Sequence, residues 1–189
     1  MKKVLLLATN GFEEIEALTV VDVLRRVGVS CLLCAVTDEA YLTGSHNIVV
    51  KADCKFSEMG TPAELAATYD AVVLPGGMPG SENLKNHDGV IAVLQAFYAA
   101  GKITAAICAA PIALERAGLL AQKRFTVYPG CLPASNAYEL TEEPVVCDGT
   151  VITGKAPAAA LPFAYALVEA LVGKEAMQAQ KEAMHYTEV

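Results

Sequence analysis

The chain has 189 residues, is 54% hydrophobic and carries a formal net charge of −7. That length fits one domain with a large core, and the acid excess argues against the basic patch that nucleic acid requires. Its apolar runs fall well short of the ~18 residues that span a bilayer, so neither nucleic acid nor a membrane is an expected partner.

Residues 1–8 superficially match a short export signal, but the apolar run is brief and ends at a polar loop, so 4–8 is read as a buried first strand. A helix is expected over 13–27, with Ile15, Leu18, Val21, Val23 and Leu24 at helical spacing and Gly28 as its stop. A second strand follows at 31–36, then a turn at 43–47 and a short strand at 48–51. Thr61-Pro62-Ala63-Glu64 is a capping box with proline at the first helical position, and it opens a short helix to about residue 68. A strand over 71–74 runs into Pro75-Gly76-Gly77-Met78-Pro79-Gly80, and a helix over 89–100 stops at Gly101. A further strand leads to Cys108 and a helix ending near Gly118, followed by a short strand at 125–128 and a loop at 129–133. The segments 145–147 and 150–153, joined by Asp148-Gly149, are a hairpin. Helices over 161–172 and 175–184 close the chain, with an exposed tail after His185. There is no repeat, low-complexity segment or linker, so residues 1–189 are read as a single domain. Alternating strands and helices predict an α/β fold with a mostly parallel sheet between helix layers.

The six cysteines match no zinc spacing or disulfide framework. Cys31 and Cys34 are formally a Cys-x-x-Cys pair, but residues three apart in a strand point to opposite faces, so no redox or metal site is read there. Unpaired cysteines without an export signal suggest a cytoplasmic protein.

The chemistry is expected at Cys108. Ala106 and Ala110 flank it in the pattern small-x-Cys-x-small, at a point where a strand turns into a helix. A nucleophile elbow needs small residues there because the turn is tight. It directs backbone N–H groups of the following helix at whatever the sulfur attacks, and a helix start is expected to lower the thiol pKa. Ligands in such folds bind beyond the carboxyl ends of the strands, which gathers the loops 10–16, 75–80, 108–111 and 128–131 at one rim. Glu13, Glu14 and Glu16 lie in the first of these. All three suit a helix start, and any one of them can turn inward and donate a proton to the sulfur; the pattern does not choose among them. Gly76-Gly77 allows close backbone approach, and Gly77 is a candidate oxyanion donor. His46, His87 and His185 all fall in surface segments, which disfavours a Cys-His mechanism of the papain or amidotransferase kind. Tyr128 reaches the rim as a hydrogen-bond donor, being a weak base with an ordinary pKa near ~10.

Five stretches, taken in order, resemble the ThiJ/PfpI family, in the branch of the parkinsonism-associated protein deglycase. They are Gly11-Phe12-Glu13-Glu14-Ile15-Glu16, Val20 through Gly28, Val72-Val73-Leu74-Pro75-Gly76-Gly77, Ala105 through Pro111, and Val168 through Glu175. The resemblance implies a flavodoxin-like three-layer sandwich of the class I glutamine amidotransferase-like type, a homodimer and no cofactor or metal. It places Cys108 on the reactive cysteine, Glu16 on the buried acid that contacts it, and Gly77 and Ala109 on the backbone donors. Three positions depart from the branch. Tyr128 stands where the deglycase has histidine, His46 where it has arginine, and Gly154-Lys155-Ala156-Pro157-Ala158 where it has Ser-Arg-Gly-Pro-Gly. The pocket is therefore expected to include Gly76, Tyr128 and His46 beside the four core positions. The activity implied is a glutathione-independent glyoxalase or a protein deglycase acting on a small aldehyde. The alternatives are a non-enzymatic oxidation sensor or chaperone and, further off, a cysteine peptidase or amidotransferase.

Overall fold

A computed structural model of the protein describes residues 1–187. The elements in chain order begin with β1 (Lys3–Ala8), α1 (Glu14–Arg26) and β2 (Ser30–Ala35). Three short strands follow, β3 (Tyr41–Thr43), β4 (Val49–Lys51) and β5 (Cys54–Lys55), then α2 (Pro62–Thr68) and β6 (Ala71–Leu74). Next come α3 (Gly80–Asn86), α4 (Asp88–Ala99), β7 (Ile103–Ile107) and α5 (Pro111–Arg116). The chain continues through β8 (Arg124–Phe125), β9 (Glu139–Leu140), β10 (Val145–Asp148) and β11 (Val151–Gly154), and ends with α6 (Ala160–Val172) and α7 (Lys174–Ala183).

Seven strands form one sheet in the order β10-β11-β7-β6-β1-β2-β5, parallel throughout except for the β10–β11 hairpin. Residue alternation along β1 divides the core. Val4, Leu6 and Ala8 pack under α1 and α6 with Val20, Leu24, Phe163 and Leu167, whereas Leu5 and Leu7 pack on the other face with Leu65, Leu94, Phe97 and Leu114. This is the expected three-layer α/β arrangement: strands covered on both faces are apolar at every position. Cys31 and Cys34 fall in opposite core layers, as the two-residue period of a strand requires. From β1 the chain goes one way to β2 and later the other way from β6 to β7, so the switch point lies between β1 and β6. The crevice beyond the carboxyl ends of these two strands is where open α/β sheets bind ligands.

The structure departs from the sequence expectations in several places, among them β5 (Cys54–Lys55), which was not expected. Residues 80–86, expected as loop, form α3. The strand expected over 125–128 shortens to Arg124–Phe125 and pairs with the unforeseen β9. The segment 49–51 pairs antiparallel with Tyr41–Thr43, which the turn reading had left out. Ile15 is 57% exposed, and the inward stripe of α1 is Glu16, Ala17, Val20, Val23 and Leu24. The capping box is present as read: the Thr61 side chain accepts from the Glu64 N–H, and the Glu64 carboxylate accepts from the Thr61 N–H at 2.7 Å.

Candidate functional site

Beyond β1 the chain turns through Gly11 and enters α1. Glu13 is its N-cap, with Oε2 accepting from the Glu16 N–H at 2.7 Å. The Glu13 N–H in turn donates to the Gly76 carbonyl at 2.8 Å, tying the first loop to the one after β6. This fixes the start of the helix, so that the third of the three acids falls on its inner face. Glu16 is fully buried. Its Oε2 accepts from the Gly76 N–H at 2.7 Å, while Oε1 is buried with no hydrogen-bond donor among the described residues.

Cys108 follows β7 with φ of +64°, a left-handed conformation that a side-chain-bearing residue rarely adopts. Such strain is characteristic of a nucleophile elbow. The turn is held by the Cys108 N–H donating to the Gly154 carbonyl at 2.9 Å and by the Cys108 carbonyl accepting from the Tyr128 N–H at 2.7 Å. Ala106 and Ala110 have no exposed surface, which explains the small residues on either side. The sulfur receives backbone N–H donors from Ala109 and Gly77 and interacts directly with the Glu16 carboxyl. The residue is 7% exposed, so a small molecule can reach it from the rim.

Two glycines make this approach possible. A Cβ on Gly76 would lie 2.5 Å from Glu16 Oε2 and 2.6 Å from Cys108 Cβ. Gly77 has φ of +89°, and a Cβ there would meet the Glu13 nitrogen at 2.4 Å. Both positions need the freedom and small size of glycine.

Burial raises the Glu16 carboxyl to about 7, and the hydrogen bonds from Cys108 and Gly76 only partly oppose this. Burial, then the charge and hydrogen bond of Glu16, push the Cys108 thiol up to about 12, against the pull of the Ala109 and Gly77 N–H groups. The expectation of a thiol lowered by a helix start is thus corrected. The following helix is only six residues long and begins at Pro111, so desolvation and the neighbouring acid dominate. The carboxyl therefore gives up its proton first, near neutrality, while the sulfur keeps its own. Two N–H groups face the sulfur and one faces the carboxylate.

Of the expected residues, Cys108, Glu16, Gly76, Gly77 and Ala109 converge. Tyr128 and His46 make different contacts. Tyr128 meets the elbow through its backbone and is 47% exposed. His46 has its ring 70% exposed and bonds Glu14 Oε2 at 2.9 Å through Nδ1. Glu14, which the sequence left as a candidate acid, also accepts from the His46 N–H at 2.8 Å. It pins the β3–β4 hairpin to the helix. Burial works to raise its carboxyl, but these hydrogen bonds win and hold it below the ordinary range. Glu13, Glu14 and His46 each place one ligand-type atom within 4.8 Å of the others, and their own hydrogen bonds account for that grouping. His87 caps α4 by accepting from the Val90 N–H, edge-on to Phe56. A concavity of about 450 Å³ between α5 and residues 132–138 includes none of the converging residues.

Sequence reasoning had not singled out Gly76 as a donor to the acid. The signal that distinguishes Glu16 from its neighbours was present: it shares the i, i+4, i+7, i+8 stripe with Val20, Val23 and Leu24.

Fold and site together define a class: an α/β sandwich in which a strained cysteine elbow meets a buried carboxylic acid beside the sheet's switch point. Residues 2–170 match the DJ-1/PfpI family. Protein DJ-1 homolog B of Arabidopsis thaliana is 35% identical over 176 residues, covering 92% of this chain but only 39% of that longer protein. A deglycase of Pyrococcus horikoshii is 31% identical over 158 residues, 82% of this chain and 91% of that one. The solved structure of oxidized DJ-1 from Toxoplasma gondii superposes with a TM-score of 0.87 at 32% identity, covering all of both chains. The chain belongs to the DJ-1/PfpI family. Among the described residues, no helix is long and apolar enough to cross a membrane.

Proposed function

We propose that the protein is a cysteine-dependent enzyme acting on small reactive carbonyls, as a glutathione-independent glyoxalase or deglycase. One observation carries the reading: the orphaned Oε1 of buried Glu16, in a carboxyl that interacts directly with the Cys108 thiol. A carboxyl that holds its proton to about 7 can both give and take one at neutral pH. The Glu16 carboxylate takes the Cys108 thiol proton as the sulfur adds to the aldehyde carbon of an α-oxoaldehyde, and the Gly77 and Ala109 N–H groups face the charge that develops. Return of that proton from Glu16 to the oxyanion gives a hemithioacetal. The Glu16 carboxylate then takes the carbon-bound proton and returns it to the adjacent carbon, while the hydroxyl proton passes to the neighbouring oxygen, giving a thioester of the 2-hydroxy acid. Water hydrolyses the thioester and regenerates the thiol. The net reaction adds one water to one methylglyoxal to give lactate. The deglycase of Pyrococcus horikoshii supports carbonyl chemistry in a relative of similar length.

The test is loss of methylglyoxal without glutathione. Wild-type protein should consume it with lactate formed in equal amount, Cys108→Ala should not, and Glu16→Gln should be slowed at least tenfold. Wild-type turnover no faster than buffer would dispose of the reading.

A second reading, an oxidation sensor, is favoured by the same carboxyl, which can donate to the oxygens of a cysteine sulfinic acid. The solved Toxoplasma gondii relative is an oxidized form. Mild peroxide should add two oxygens at Cys108 before any other residue; uniform oxidation of all six cysteines would count against it. A peptidase reading finds no base in His46 or His87, which are engaged elsewhere. The expected homodimer fits the exposed apolar residues Ile15, Tyr41, Ile48 and Val49 on α1 and the adjoining hairpin, and sedimentation equilibrium tests it.

A further inference from the structure

A second sulfur pair lies away from the elbow. Cys34 on β2 and Cys54 on β5 are direct Cα partners in parallel register. In-register residues of parallel strands point to the same face. The strand spacing of ~4.8 Å falls inside the Cα separation of about 4.4–6.8 Å that a disulfide bridges. The two side chains are hydrogen-bonded to each other. Cys34 is fully buried in the core layer under α2 and α4, and Cys54 packs against that layer from the edge of the sheet, half-buried. One sulfur is thus reachable and the other is covered behind it. Two intervening strands, β1 and β6, separate β2 from β7, the strand that leads to Cys108. Three strand spacings, about 14 Å, are too far for either sulfur to bond Cys108.

We propose that Cys34 and Cys54 form a reversible dithiol–disulfide site, oxidised by hydroperoxides and independent of Cys108. Cys54 is the attacking sulfur, being the more exposed; the hydrogen bond from Cys34 favours its thiolate, lowering the Cys54 pKa and raising that of Cys34. Its thiolate attacks the outer oxygen of the hydroperoxide, the O–O bond breaks, and Cys54 sulfenic acid and an alkoxide form. The alkoxide takes a proton from water. The Cys34 sulfur then attacks the sulfenic sulfur, and its proton leaves with the hydroxyl as water. In sum, two thiols and one hydroperoxide give one disulfide, one alcohol and one water. A low-molecular-weight dithiol reverses it by exchange.

The disulfide would close the segment 34–54, which carries the β3–β4 hairpin. That hairpin already binds the first rim loop: the Gly11 N–H donates to the Thr43 carbonyl at 2.8 Å and the Ser45 N–H to the Phe12 carbonyl at 2.8 Å. Oxidation at the sheet edge therefore ties down the loop that presents Glu13 and Glu16 to Cys108. Disulfides of this transient kind suit a reducing compartment, where they sense oxidants.

The test uses the full chain and its Cys108→Ala variant, so that oxidation at the elbow does not compete. Each is treated with hydrogen peroxide, free thiols are blocked with iodoacetamide in denaturant, and the digest is analysed by mass spectrometry. The expected product is a linked peptide pair joining Cys34 to Cys54, lighter by two hydrogens and lost on dithiothreitol treatment. Cys34→Ser should stop the reaction at a Cys54 sulfenic acid that dimedone traps, and Cys54→Ser should leave Cys34 reduced. The proposal is overturned if both cysteines of Cys108→Ala remain alkylatable at peroxide levels that oxidise Cys108 in the wild type, or if either links to a different cysteine. The measurement on Cys108→Ala decides the matter even where a serine variant fails to fold.

Discussion

The Gly76 N–H donates to Glu16 Oε2 at 2.7 Å, joining residues 60 positions apart in the chain. That bond occupies one oxygen of the carboxyl. The other is left without a donor, and the carboxyl as a whole interacts directly with the Cys108 thiol. The site's chemistry follows from this division of the carboxylate: one oxygen is anchored, and the other is free to hold the mobile proton.

The first prediction is the pH dependence of sulfur reactivity. Glu16 loses its proton near 7, and its charge and hydrogen bond help to push the thiol up to about 12, so alkylation of Cys108 should be slow at neutral pH and rise only in the alkaline range. Glu16→Gln removes that charge and leaves burial as the main upward push. The inflection should then move to lower pH. An unchanged profile would show that the carboxylate does not act on the sulfur.

The second concerns stability. The Glu16 pKa is 4.5 unperturbed and about 7 in the folded protein, so between these values the folded state binds more protons than the unfolded one. Stability from this group is fully present below 4.5 and is lost as pH rises through 7. By linkage the loss is about 3 kcal/mol. Urea titrations at pH 4.5 and pH 8 should show a pH-dependent difference of that order between wild type and Glu16→Gln.

Gly76→Ala is expected to disrupt the site. Its Cβ would sit 2.5 Å from Glu16 Oε2 and 2.6 Å from Cys108 Cβ, so backbone or side chains must shift, at a cost of about 1–3 kcal/mol. Circular dichroism should show an intact fold, while methylglyoxal turnover and Cys108 alkylation fall at least tenfold.

Thr61→Ala serves as the contrast. It removes the N-cap acceptor and breaks the capping box of α2, which should cost about 1 kcal/mol. The melting temperature should drop by a few degrees, with Cys108 reactivity unchanged, because α2 contributes nothing to the rim.

Much of this was legible in one chain of letters. The runs 4–8 and 71–74, the Thr61 capping box, the hairpin at Asp148-Gly149 and the small residues around Cys108 are local signals, each set by neighbouring backbone. The elbow was readable because the tightness of a turn restricts residues two positions away, and sequence records that restriction directly. Residues 80–86 were missed because Gly80 lies amid Met78-Pro79 and the other signals of a loop. Ile15 was read as inward because it stands three residues before Leu18, whereas the buried stripe is the one that Glu16 shares with Val20 and Leu24.

By itself the sequence determined the α/β class, the elbow and the small set of acids from which a partner for the sulfur had to come. The stripe that Glu16 shares with Val20, Val23 and Leu24 pointed to the inward acid, and the tertiary structure fixed it, because that depends on the phase of α1, set by the Glu13 cap and its bond to Gly76 from a distant loop. It also decided the direction of the Cys108 shift. A local turn favours thiolate, but desolvation and the Glu16 charge act through space and outweigh it, and neither is written in the residues beside the cysteine.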